Sequence, residues 1–155
     1  MKLICQQLFS WTGQYEIYDE QENTLFVVEG DLLDLWPTLT IYDARRKKLG
    51  TIERALAFWT NKYELNIGGE CVGTITGGHS LVGYLYDVDY NGWYVEGDMM
   101  GWEYQIIDPD NNIVAKIDKD IFTLSDMYTV DIKKSEDILG ILMVVLAVDL
   151  DRAKG

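Results

Sequence analysis

The stretch DILGILMVVLAV, residues 137–148, decides how this chain folds. Eleven residues, Ile138 to Val148, carry no charge and lie between Asp137 and Asp149. As a helix, the run is apolar around its whole circumference, not along one stripe. Such a helix is either buried on all sides or surrounded by lipid. Length separates the two. At 1.5 Å per residue the run reaches about 16 Å, against roughly 30 Å of bilayer hydrocarbon. Asp149 and Asp151 would have to enter the membrane if the run were extended. An interfacial helix would need a polar face, which this one lacks. Ser135 is placed to cap the helix, with Glu136 and Asp137 in the first turn, where the dipole favours negative charge. The expected element is a helix over about 136–150, enclosed by the rest of the chain, with no transmembrane segment.

The enclosure has to come from strands. Polar and apolar residues alternate with period two along most of the sequence, which marks half-buried strands. In KYELNI, Tyr63, Leu65 and Ile67 share one face. In DMYTVDI, Tyr128, Val130 and Ile132 do, and in QYEIYD, Tyr15 and Ile17 do. Turn signals recur every eight to twelve residues or so, the all-β rhythm. Asn91-Gly92 and Gly68-Gly69 suit tight type I′ hairpins. EQEN, ARRKK and DPDNN fill further turns. About twelve strands are expected, near residues 2–9, 14–19, 24–31, 38–43, 49–57, 61–67, 70–76, 81–90, 93–100, 102–108, 112–120 and 127–133. Closed into an antiparallel barrel, twelve strands leave a lumen that a helix about 10 Å wide can plug. The fold class is therefore mainly β, a closed barrel around a buried hydrophobic helix, in a single domain over 1–155.

The strands are also repeated. VEGD (28–31), LTIYD (39–43), LGTIER (49–54) and KYELNI (62–67) echo VEGD (95–98), YQIID (104–108), VAKIDK (114–119) and MYTVDI (127–132). From Tyr42 against Ile107 to Ile67 against Ile132 the offset is constant at 65. A shorter echo, FSWTGQYEIYD (9–19), resembles FWTNKYELNI (58–67) and FTLSDMYTVDI (122–132). An aromatic-led turn before a Tyr-led strand thus occurs three times. Internal duplication makes these shared residues fold signals before it makes them catalytic ones.

These features together resemble the LURP-one-related family. They are the Phe/Trp-led turns before Tyr15, Tyr63 and Tyr128, the paired Glu-Gly motifs, the hairpins IYDARRKKLG (41–50) and IIDPDNNIVA (106–115), and the terminal helix. The likeness runs from about Leu3 to Asp151. It implies a fold related to the tubby C-terminal domain and the phospholipid scramblases, with a twelve-stranded barrel around a central helix. For function the resemblance implies only a hint of lipid or membrane association. No basic residue of a tubby headgroup site is carried over.

Charge and composition narrow the function classes. The chain has 13 basic and 26 acidic residues, a net charge of −13. That surface repels nucleic acid, so none is expected as a partner. Lys2 is followed by three apolar residues and then Gln6-Gln7, too short a run for a secretion signal, so a cytoplasmic location is expected. Two cysteines, Cys5 and Cys71, read as buried reduced thiols. The single histidine, His79, sits in the turn GGHS with no nucleophile to serve. Asp108, Asp110 and Asn112 imitate a calcium loop, but Ile113 stands where glycine is needed and Lys119 where the loop needs Glu. Asp87, Asp89 and Asp98 are the remaining acidic group that could face a cation. No metal or other cofactor is expected. Without a nucleophile and base pair the chain reads as non-enzymatic, a binding or scaffold module. The rivals are a protein-interaction module using exposed aromatics such as Trp11, Trp36 and Trp59, and an enzyme with its site at a barrel mouth. The candidate binding residues are Arg45, Arg46, Lys47 and Lys48, four adjacent cations at a hairpin tip and the best contact for an anion such as a lipid headgroup. A partner protein is the alternative.

Overall fold

The computed structural model describes residues 1–9, 14–31, 37–77, 86–98, 103–120, 127–134 and 137–153. Twelve strands precede one helix. They are β1 (Lys2–Phe9), β2 (Gln14–Tyr18), β3 (Thr24–Asp31), β4 (Thr38–Asp43), β5 (Lys48–Ala55), β6 (Asn61–Ile67), β7 (Glu70–Gly77), β8 (Tyr86–Asp89), β9 (Tyr94–Gly97), β10 (Glu103–Ile107), β11 (Ile113–Asp120) and β12 (Met127–Ile132), then α1 (Ile138–Ala153). Each strand pairs antiparallel with the next, and β1 closes the barrel on β12. The Leu3↔Val130 and Cys5↔Tyr128 pairs set that closing register. A closed barrel leaves no edge strand to aggregate.

Alternation sends Leu3, Ile17, Val28, Ile41, Ile52, Leu65, Ile106, Ile117 and Val130 inward, and all are fully buried. They meet the helix, where each of the eight residues from Ile141 to Val148 is at most 1% exposed. The helix is therefore apolar all round because it is covered all round. Fully burying each such aliphatic side chain is worth about 1.5–3 kcal/mol. Gly140 lets the helix enter, since a Cβ there would lie 2.5 Å from the Tyr90 ring and 2.7 Å from an Asp137 oxygen.

The turns follow one grammar. Asp19, Asp43 and Asp108 each accept backbone N–H bonds from the residues two and four positions later, all at 2.8–3.0 Å. The residue three positions on, Glu22, Arg46 or Asn111, takes a left-handed backbone with φ of 62–66°. Asn91-Gly92 and Gly68-Gly69 have positive φ at both positions, as type I′ turns require. The Asp108 segment is thus a hairpin turn, as its departures from the calcium-loop pattern imply.

Several expectations need correction. The helix starts at Ile138, not 136, and runs to Ala153. Its cap is Asp137, whose Oδ1 accepts the Gly140 N–H at 2.8 Å, and Ser135 lies outside the described residues. The helix continues past the uncharged run, so that Asp151 as well as Asp149 lies inside it. Cys71 is exposed, not buried. A bulge between Leu65 and Asn66 of β6 skips Val72, which shifts Cys71 out of the inward alternation. Strand β8 starts at Tyr86 and β9 ends at Gly97, and the flanking residues 81–85 and 99–100 lie outside the described residues.

Removing the residues after Lys134 takes away the contents of the barrel. The truncated chain is expected to lose cooperative unfolding and near-UV circular dichroism. A monomeric, soluble truncation with a sigmoidal urea transition would refute the enclosure.

Candidate functional site

Odd-numbered strands run toward one end of the barrel and even-numbered strands back from it. The tight turns at 19–23, 43–47, 67–70 and 108–112 mark one end, with the helix N-terminus. The other end holds the helix C-terminus and the β5–β6 loop.

A polar layer closes that second end. Tyr15 and Tyr128 donate their hydroxyls to Asp149, and Tyr63 and Tyr86 donate theirs to Asp151 at 3.1 and 2.7 Å. Each tyrosine stands within the first three residues of an even-numbered strand, where the alternation turns it inward at the rim. The two carboxylates are two residues apart, so a 100° step per residue aims them at opposite walls. Tyr128 and Tyr15 flank β1, and Tyr63 and Tyr86 flank β7, six strands away. Gly77 makes room on β7, since a Cβ there would lie 2.7 Å from the Tyr86 ring and 3.1 Å from Asp151. Arg152 stacks over the buried Tyr104 ring at 5.1 Å. The repeated Tyr-led strands of the sequence are thus the straps that hold the helix. Tyr86 belongs to the set but was not among the repeats. Its signal is the match of Tyr86-Asp87-Val88 to Tyr15-Glu16-Ile17.

Burial and Asp151 hold the Tyr63 and Tyr86 phenols neutral. Burial first, then Asp151, pushes Tyr63 well above the usual phenol range, and the same two causes raise Tyr86. At the other end burial and Asp137 push Tyr90 up to about 12. Tyr90 and Asn91 both donate to Asp137 Oδ2, the Asn91 bond at 3.0 Å. Cys5 is raised to about 12, chiefly by burial and then by Asp149, so its thiol is protonated at neutral pH and a poor nucleophile.

The basic turn lies at the opposite end. Arg46 pairs with Glu29 at 2.5 Å, a pair largely in solvent. Arg45, Lys47 and Lys48 are exposed and make no ion pair among the described residues. A groove of about 370 Å³ opens beside them, lined by Lys48, Thr51, Glu53, Asn66 and Gly68.

The other candidates do not assemble. Asp87 and Asp89 point outward on β8, and Asp87 stands opposite Tyr94, whereas Asp98 is four residues further along the partner strand. Among the described residues no three carboxylate, histidine or cysteine side chains gather as metal ligands. His79, Trp11 and Trp36 lie outside the described residues. Trp59, named among the exposed aromatics, is 96% exposed.

The whole-chain pattern matches the LURP-one-related family over residues 1–149. The chain belongs to that family. It is similar to the "Uncharacterized protein YxjI" of Bacillus subtilis (strain 168), at 28% identity over 145 residues, 94% of this chain and 89% of that one. In structure it is similar to a protein of Arabidopsis thaliana solved by X-ray crystallography. The TM-score is 0.67 at 16% identity, covering 97% of this chain and 92% of that chain, a likeness that speaks to the fold. Among the described residues no helix is long and apolar enough to cross a membrane.

The tyrosine straps make the fold of this family member sensitive to alkali. Because the folded pKa values of Tyr63 and Tyr86 lie above that of free tyrosine, the stabilisation these two give is complete below about pH 10 and is lost as pH rises toward the folded values. Urea midpoints are expected to fall between pH 10 and 12. Tyr63→Phe/Tyr86→Phe should cost about 1–3 kcal/mol at pH 7 by leaving Asp151 short of donors, and should flatten the alkaline fall. An unchanged midpoint at pH 7 would count against the straps.

Proposed function

We propose that the chain is a non-enzymatic binding module that works in the cytoplasm through its outer surface. The helix occupies the lumen, and the tyrosines and carboxylates at the mouth are engaged with one another. That supports a surface function over chemistry at a barrel mouth.

One observation supports the basic turn as the anion contact. The duplicated hairpins share what the fold needs: Asp43 matches Asp108, and left-handed Arg46 matches left-handed Asn111. The four cations are not shared, for the second hairpin carries Pro109-Asp110-Asn111-Asn112-Ile113 where the first carries Ala44-Arg45-Arg46-Lys47-Lys48. Asn tolerates the left-handed backbone better than Arg. Arginine at 46 answers Glu29, while the cations beside it, Arg45, Lys47 and Lys48, are not what the turn needs. Arg45, Lys47 and Lys48 project freely in an otherwise acidic protein, which suits an anionic headgroup.

The parent protein is expected to bind vesicles containing phosphatidylserine or phosphoinositide more tightly than pure phosphatidylcholine vesicles at low salt, and to lose that added affinity as salt rises. Arg45→Glu/Lys47→Glu should lose the added affinity with the thermal midpoint unchanged. No added affinity of the parent for the anionic vesicles at low salt would end this reading.

A further inference from the structure

The β5–β6 hairpin ends in Leu56-Ala57-Phe58-Trp59. Leu56 is 83% exposed, Phe58 98% and Trp59 96%. The other large hydrophobics found exposed on the described surface are covered to roughly half or more of their area, Met1 at 52% exposure being the barest. Three adjacent large apolar side chains standing clear of the barrel serve nothing in its core.

We propose that this loop inserts into the interface of a lipid bilayer. The tip presents two aromatic rings and a leucine, the side chains that settle at the boundary between headgroups and acyl chains. Its arms carry cations just behind the tip. Arg54 is on β5, and its guanidinium donates to Asn61 Oδ1 across the loop base at 3.2 Å; Lys62 is on β6, opposite Ala55. A cation one step behind an apolar tip can reach phosphates while the rings go deeper. The carboxylates of the hairpin, Glu53 and Glu64, face each other one row further back.

Area argues for a bilayer over a protein. Aromatic side chains bury about 150–250 Å² each, so two rings supply roughly 300–500 Å², to which one leucine adds less than a further ring would. A standard protein interface takes about 800 Å² from each partner. The grooves found on the described surface of a second copy are lined mainly by polar and charged residues: Lys48, Thr51, Glu53 and Asn66 in one, Glu96, Asp98, Glu103 and Lys116 in another, and Asp108, Lys134 and Asp137 beside Trp93 and Val114 in a third. A bilayer needs no preformed slot.

The contact is independent of the basic turn. The eight residues of β5 separate the two by roughly 25 Å, at opposite ends of the barrel, so one flat bilayer cannot meet both. They also differ in physics. Apolar insertion needs no anionic lipid and is not weakened by salt, and screening the net charge of −13 should help it on anionic vesicles.

The test is flotation of the full chain with phosphatidylcholine vesicles, with and without phosphatidylserine, at 50 mM and 500 mM salt. Binding to pure phosphatidylcholine is expected at both salt concentrations. Phe58→Ser/Trp59→Ser should reduce it at least tenfold with an unchanged thermal midpoint, and Arg45→Glu/Lys47→Glu should leave it intact. Brominated acyl chains should quench Trp fluorescence in the parent, and Trp59→Phe should remove most of that quenching. No binding to phosphatidylcholine, or binding that survives Phe58→Ser/Trp59→Ser, overturns the proposal. Concentration-dependent dimerisation abolished by the same double substitution, without vesicle binding, would assign the loop to a second copy instead. Loss of only the salt-sensitive, phosphatidylserine-dependent binding in Arg45→Glu/Lys47→Glu bears on the basic turn and leaves the loop standing.

Discussion

A helix that is apolar on every side cannot stand in water, and a twelve-stranded barrel cannot stand empty. Each supplies what the other lacks, and the rest of the structure follows from that mutual burial. It fixes why the strands alternate so regularly and why Gly140 has no side chain where the helix passes Tyr90. It also sets the polar problem at each end, where the helix must leave the apolar interior without stranding charged groups.

The solutions at the two ends differ. At the N-terminal end Asp137 caps the helix and gathers Tyr90 and Asn91 from a single turn. At the C-terminal end Asp149 and Asp151 sit inside the helix and face opposite walls, each met by two tyrosines. A duplicated barrel offers equivalent positions six strands apart, and a helix offers opposite faces two residues apart. The two periodicities coincide at this layer, so a repeated sequence can clamp a helix that has no repeat of its own. Protein interior and polar rim are then committed to the fold, and the surface carries what remains for binding.

Much of this was legible in the residues. The uncharged run of 138–148, with its length, excluded a spanning helix and called for an enclosure, and period-two alternation with the turn chemistry supplied it. The Tyr-led repeats correctly marked fold positions, but what the hydroxyls bond to was not readable, because no spacing ties Asp149 and Asp151 to strands remote in sequence. Propensity at a helix terminus is weak, and tertiary bonds from the strands carried the helix through to Ala153. The exposure of Cys71 was hidden because a bulge breaks alternation without leaving a clear mark in the sequence. The four cations at 45–48 were conspicuous, and only comparison with the twin hairpin separates them from what the turn itself needs. The exposure of Trp59 was one reading of the aromatics near turns, whereas that of Leu56 and Phe58 was not legible, since an apolar side chain beside a turn can equally well cover the barrel end.

If the helix is the core and not a plug added to a finished barrel, helix and strands must open together. Native-state hydrogen exchange on the amides of Leu142–Val148 and on those of the central strands tests this most directly. The expected result is the same opening free energy for both sets, equal to that of global unfolding, with the same dependence on denaturant. Helix amides that exchange through a cheaper opening while the strands stay protected would show a barrel that stands without its helix, and would contradict the mutual burial on which the structure rests.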